Sequence, residues 1–500
     1  MTHPPGPPIR VRRGPVVIGV DSSTQSTKAA VTDAGTGTLL AVGRAPHTVT
    51  GADGARQTDP EVWWRALAAA VAEGLRAAGT EAREVTGIAV AGQQHGLVVL
   101  DAAGRPLRDA LLWNDTRSAP QARALAEKLG TQGWLDRTGA LPVASMTATK
   151  WQWLREHEPH LAEAAAGVRL PHDFLTERLC GTAATDPGDA SGTLWWSTAD
   201  SAYDPVLLEL TGMDEELLSP VAPGGGRLAG HLTRAAAAHL GLPAGLPVAV
   251  GTGDNMAAAV GLGLGGAGLL DHPVVSLGTS GTVFAASRTR PAVPELAGFA
   301  SADGHHLPLG CTLNCTLAVD KVAQLLGLDR ESAEPGAGLV LLPYLDGERT
   351  PDLPHATGLL TGLRHASTPG QLLGAAYEGA VFTVLRALDA LLGACGLDPT
   401  APGPAALPLR LVGGGARGRT WVETVRRLSG RPVILPEATE LAALGAAALA
   451  HAAVTGADPV AVARSWNLGE GRELPPLEGD MATWERIGSV LEQGTGTLLR

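Results

Sequence analysis

Polar and apolar positions fall into two similar arrangements along the chain. Val16 to Val20 is a short run rich in β-branched residues, which predicts a buried strand. Asp21 to Thr27 is polar, Lys28 to Thr32 resumes as a second strand, and Leu39 to Gly43 is a third. Asp59-Pro60 pairs an N-cap residue with proline at the first helical position. The helix it starts should run to about Ala78 and stop at Gly79. Gly87 to Ala91 and Leu97 to Leu100 are further strands, flanking the polar turn Gly92-Gln93-Gln94-His95-Gly96. The stretch from 120 to 245 is more helical and less regular.

The opening pattern then returns. Pro247 to Val250 reads as a buried strand, followed by Gly251-Thr252-Gly253-Asp254-Asn255 and an alanine-rich helix. Val274 to Leu277 and Thr282 to Ala285 flank a second small polar turn, Gly278-Thr279-Ser280-Gly281. Leu409 to Val412 leads into Gly413-Gly414-Gly415, a helix follows to Leu428, and Gly430 with Pro432 ends it. Val433 to Leu435 is a strand and Glu440 to Ala450 a helix. The expectation is an α/β protein of two related halves facing each other across a cleft. The division should fall near 246, in the Gly/Pro-rich stretch from Gly241 to Pro247. That gives an N-terminal half at 15–246, a C-terminal half at 247–490, and a flexible Pro- and Arg-rich tail at 1–14.

Composition narrows the function. The 500 residues are 45% hydrophobic and 18% charged, enough for a sizeable core. A net charge of −12 argues against a general binder of nucleic acid or anionic membrane. The longest apolar runs, Met256 to Leu270 and Leu441 to Ala450, fall short of a span of about 20 residues. No signal-like apolar segment opens the chain, and the four cysteines, Cys180, Cys311, Cys315 and Cys395, form no metal-ligand array. A cytoplasmic protein with buried thiols is expected.

Small residues at a hairpin turn let backbone N–H groups approach phosphate oxygens. In the first hairpin Thr24 and Gln25 add donors and Lys28 adds a cation. Asp21 repels bare phosphate, so its natural partner is a metal ion or metal-bound water. Gly278, Thr279 and Ser280 form a second phosphate-sized loop, and no GxxxxGK[ST] run is present. Gly413 to Gly415, between strand and helix, allow close approach of a nucleotide. Asp254, at the mouth of a helix, suits either an N-cap or a proton acceptor. Gln94, His95, Trp113 and Asp115 supply the hydrogen bonds and aromatic face that a polyol needs.

Together these residues resemble the carbohydrate kinases of the FGGY family, within the actin-like ATPase superfamily. Two long signatures carry the resemblance. One is Ser145-x-Thr147-x-x-Lys150-Trp151-x-Trp153-Leu154-x-Glu156-His157. The other runs from Gly358-x-Leu360-x-Gly362-Leu363 through Gln371-Leu372 to Ala375-Ala376-Tyr377-Glu378. The resemblance covers residues 15 to 455 and implies a two-domain actin-like (ribonuclease H-like) fold with ATP and Mg²⁺ in the cleft. It implies Asp254 as catalytic base and Asp21 as the metal-holding carboxylate. Thr24, Gln25, Lys28, Gly278, Thr279 and Ser280 would lie at phosphates and Gly413, Gly414 and Gly415 at adenosine. Gln94, His95 and Asn255, with Trp113 and Asp115, would bind the sugar. Gly92 to Gly96, Trp113 to Ser118 and Leu342 to Pro351 are similar to the xylulokinase branch, which implies D-xylulose as acceptor. Kinases for ribulose, gluconate or glycerol stay open, as does an ATPase without a sugar substrate. The oligomeric state is open, a homodimer included.

Overall fold

The computed structural model describes residues 14–270 and 272–496; the tail expected at 1–14 lies almost wholly outside them. The N-terminal part is built on a seven-stranded mixed sheet. Its strands are β1 (Val16–Ser22), β2 (Ser26–Asp33), β3 (Leu39–Pro46), β4 (Val85–Gly92), β5 (Leu228–His231), β6 (Pro247–Ala249) and β7 (Thr252–Gly253). The order is β5-β6-β4-β1-β2-β3, with β7 also on β4. β1 and β2 are an antiparallel hairpin, β3 extends it, and β4 and β6 add in parallel.

The second sheet comprises β8 (Val274–Leu277), β9 (Gly281–Phe284), β10 (Ala297–Ala300), β11 (His306–Thr312), β12 (Leu409–Val412), β13 (Val433–Pro436) and β14 (Gly471–Leu474). Its order is β10-β11-β9-β8-β12-β13-β14. Here too a hairpin carries a third antiparallel strand on one side and parallel strands on the other. The repetition meets the expectation of a two-domain actin-like fold. The structure shifts one detail. β6 and β7, which the sequence assigns to the second half, hydrogen-bond into the first sheet. A short buried strand carries the same pattern whichever sheet it joins.

Alternation along the strands sorts side chains to the two faces. Val16, Ile18 and Val20 pack with Trp63, Leu67 and Val71 of helix α1 (Pro60–Ala78). That helix starts where the Asp59 carboxylate accepts from Glu61 N–H and stops at left-handed Gly79. Val17, Ala89 and Ala91 face the other way, into a core shared with α2 (Asp254–Gly261) and α3 (Leu441–Thr455). The same core takes in Val274, Phe284 and Leu307 of the second sheet. The two helices therefore lie between the sheets. They approach at backbone distance, since a Cβ on Gly445 would collide with the Ala257 carbonyl, and β1 meets α3 as closely, since one on Gly19 would collide with the Ala443 carbonyl. Among the described residues no single helix is long and apolar enough to cross a membrane.

Candidate active site

The first hairpin turns between Ser22 and Ser26, with Ser23 N–H bonded to the Ser26 carbonyl. Asp21 sits one step before the turn, on the β1 face that looks toward α3. Ser23 Oγ donates to Asp21 Oδ1 at 2.7 Å, and Lys28 Nζ lies 3.5 Å from Asp21 Oδ2. Burial raises the Asp21 pKa, against the lowering effect of Ser23 and Lys28. Lys28 is not free: it also pairs at 3.0 Å with Glu440, just before α3, which Arg44 bonds as well. Thr24 is half-buried and Gln25 exposed. Trp113, 45% exposed, donates from its indole N–H to Thr24 Oγ1 at 2.9 Å. It therefore stands at the hairpin tip.

The second hairpin is closed by Gly278 N–H on the Ser280 carbonyl. Thr316 binds the Gly278 carbonyl through both its N–H (3.0 Å) and its hydroxyl (2.8 Å). Thr279 is exposed and Ser280 half-buried. The triple glycine adjoins this hairpin. Gly413 has φ +86°, and a Cβ there would lie 2.8 Å from the Leu277 carbonyl oxygen. Gly414 has open space where a side chain would be. The adenosine and second phosphate loops of the sequence reading are thus neighbours.

Asp254 begins α2 directly after β7, with Gly253 as N-cap. Its Oδ1 accepts from Asn255 N–H at 2.8 Å. Burial first, and the Asp21 carboxylate second, raise its pKa to about 7. Asn255 Nδ2 donates to Gln94 Oε1 at 2.8 Å, which joins the turn after β4 to the start of α2. His95 follows at φ +64°. Its Nδ1 is 3.0 Å from the Gly192 carbonyl. Burial lowers its pKa to about 3, so the ring is neutral. A carbonyl partner requires the proton on Nδ1, which leaves Nε2 as an acceptor. The ring leans on Phe299 of β10 at 5.5 Å between centroids, so the second sheet contributes a wall here.

Asp115, expected in the sugar pocket, is buried and already partnered. Both its oxygens are engaged, by the Arg117 guanidinium and by the Arg117 and Arg56 N–H groups. It thereby anchors the 113–117 loop.

Several site features escaped the sequence reading. Fully buried Lys150 sends its ammonium to the carbonyls of His95, Ser145 and Met146, and burial lowers its pKa to about 7. Its motif was visible, but not its target, fifty-five residues upstream. His172, Asp186 and Asp189 form a buried polar group behind Gln94. The run Asp186-Pro187-Gly188-Asp189 was the available signal: two carboxylates three apart among small residues.

Among the described residues no group of three or more metal-ligating side chains converges. Asp21 instead offers one buried carboxylate beside phosphate-sized loops. That donor set fits Mg²⁺, which takes one or two carboxylates and fills its remaining positions with phosphate oxygens and water.

The geometry can now be set beside known proteins. The N-terminal domain of the FGGY family of carbohydrate kinases matches residues 16–261, and its C-terminal domain residues 274–454. The chain is similar to xylulose kinase of Streptomyces coelicolor, 56% identical over 492 residues, covering 97% of this chain and 98% of that one. Xylulose kinase of Streptomyces rubiginosus is 55% identical over 493 residues, covering 97% and 98%. The crystal structure of xylulose kinase from Bifidobacterium adolescentis superposes with a TM-score of 0.80 at 33% identity, covering 95% of this chain and 99% of that one. Two sheets repeating one hairpin motif, matched over both halves, make the chain a member of the FGGY family of carbohydrate kinases.

Proposed function

We propose that the protein phosphorylates D-xylulose with ATP to give D-xylulose 5-phosphate. The observation that carries this reading is the juxtaposition of Asp254 with the Gln94–Asn255 pair, close enough to Asp21 of the first hairpin to feel its charge. Asn255, Gln94 and the Nε2 of His95 bind and orient the sugar hydroxyls. Asp254, with its pKa near 7, takes the proton from the C5 hydroxyl as that oxygen attacks the γ-phosphorus and ADP leaves. Gly278, Thr279, Ser280, Thr24 and Gln25 donate to phosphate oxygens, and Gly413 to Gly415 pack on adenosine. Lys28, tied to Asp21 and Glu440, acts on phosphate by fixing the hairpin. Asp21 would hold Mg²⁺, which would supply charge neutralisation for the transferring phosphoryl group. Closure of the cleft excludes water and limits wasteful hydrolysis of ATP. The domain division we propose assigns sugar and first-phosphate contacts to the N-terminal half, and adenosine and second-phosphate contacts to the C-terminal half. The enzyme acts in the cytoplasm on small molecules, not on nucleic acid or membrane, and a homodimer is compatible with this reading.

The test is a panel of sugars and polyols with coupled ADP detection. D-xylulose is expected to give the highest kcat/KM. A higher value for ribulose, gluconate or glycerol overturns the substrate, and ADP formation that no sugar stimulates overturns the kinase reading.

A further inference from the structure

Asp189 is fully buried, and neither of its carboxyl oxygens makes a well-formed hydrogen bond. The neighbouring amide nitrogen of Gln94 is also buried without a partner. The two side chains flank the same small space. A Cβ added to Gly253 would lie 2.7 Å from Gln94 Cγ, 3.1 Å from Gln94 Cδ and 3.0 Å from Asp189 Oδ1. A buried donor and a buried acceptor, each unsatisfied and side by side, gain most by meeting each other. The other end of the amide is already committed, because Gln94 Oε1 accepts from Asn255. An amide with its oxygen held by Asn255 and its nitrogen held by Asp189 has one orientation instead of two.

We infer that Asp189 is a positioning residue that fixes the Gln94 amide, and through it Asn255, for recognition of the sugar. It acts through Gln94 and not on the substrate, and the inference rests on Gln94 and Asn255 being sugar contacts. The surroundings suit the task. His172 Nε2 lies 3.3 Å from Asp189 Oδ2, and the same nitrogen is 3.1 Å from Asp173 and 3.7 Å from Asp186. Asp186 is held by the Thr252 hydroxyl and by the N–H groups of Gly188 and Asp189, which ties the loop to β7. Burial and the nearby carboxylates of Asp186, Asp173 and Asp254 keep the Asp189 carboxyl well above the usual range. In either protonation state the carboxyl keeps an acceptor oxygen beside the Gln94 amide. The loop is also braced from the second sheet, where Ala300 N–H donates to Ser191 Oγ at 3.0 Å.

A carboxyl group and a carboxamide of the same length both place an acceptor oxygen there. Asp189→Asn should therefore keep sugar affinity, whereas Asp189→Leu, which removes the acceptor, should raise the sugar KM about tenfold. The KM for ATP should not follow. Asp189→Ser, too short to reach Gln94, should reproduce the rise and serves if the leucine variant does not fold. In the Gln94→Leu background Asp189→Leu should add little, because the residue through which it acts is gone. If Gln94→Leu leaves the sugar KM unchanged, the sugar-site reading fails. If Gln94→Leu raises that KM while Asp189→Leu and Asp189→Ser do not, or if the two losses simply add, the positioning role fails.

Discussion

The two hairpins that open the two sheets share a topology and carry different chemistry. From Val16 to Asp33 the first holds Asp21 and Lys28, with Glu440 against them. From Val274 to Phe284 the second holds no ionisable side chain at all, only Ser276 and the hydroxyls and amides of Thr279, Ser280 and Thr282. A duplicated scaffold thus offers one loop able to hold a cation and one able only to donate hydrogen bonds. Phosphoryl transfer needs both: charge compensation at one end of the polyphosphate and positioning at the other. The loops also differ in their supports. The first is pinned by ion pairs that reach α3, the second by Thr316 on the Gly278 carbonyl.

The sharpest way to break this contrast is Asp21→Ala, expected to lose roughly 10³-fold in magnesium-dependent turnover. A loss of thermal stability alone would remove the cation from the first loop. Next is Asp254→Ala, expected to lose about 10²-fold or more in kcat while the sugar still binds. The native pH profile reads the same group. Asp254 must be ionised to accept a proton, so with a pKa of about 7 kcat/KM should fall with decreasing pH below that value and level off above it. An acid limb near pH 4 would remove Asp254 from the role of base.

The hairpins should also differ in their tolerance of bulk. Gly19→Ala drives a methyl into the backbone of α3, whereas Gly281→Ala meets the side chains of Val384 and Thr312, which can shift. The first should cost about 3 kcal/mol and the second less; denaturant titration of both variants would show it, and equal losses would mean that α3 yields. The smallest effect is expected for Thr279→Ala, a roughly fivefold rise in the KM for ATP, because the backbone donors of that loop remain. A loss as large as that of Asp21→Ala would end the division of labour.

The sequence made both hairpins legible because each is punctuated locally. Strand-forming runs stop at small polar residues, and Gly79 and Gly430 end their helices where expected, with positive φ. Asp254 and the triple glycine could be placed because each follows its own strand directly. The anchoring of Asp115 by Arg56 and Arg117 was not legible, because these partners leave no periodic trace. Asp189 was missed for a related reason. Gln94 lies far away in the chain, and the short helix Pro187–Ser191 shows too little pattern to declare a face. Assignment of β6 and β7 to the second half failed because burial does not say which sheet a strand completes.

The position of α3 has a consequence for the order of synthesis. Residues 441–455 close one face of the sheet that begins at Val16, so its core lacks a wall until nearly the whole chain has been made. A fragment ending after the first family domain would leave Val17, Ala89 and Ala91 uncovered. The protein is interlocked rather than tandem, and a split version should recover a folded enzyme only when the second piece brings this helix with it.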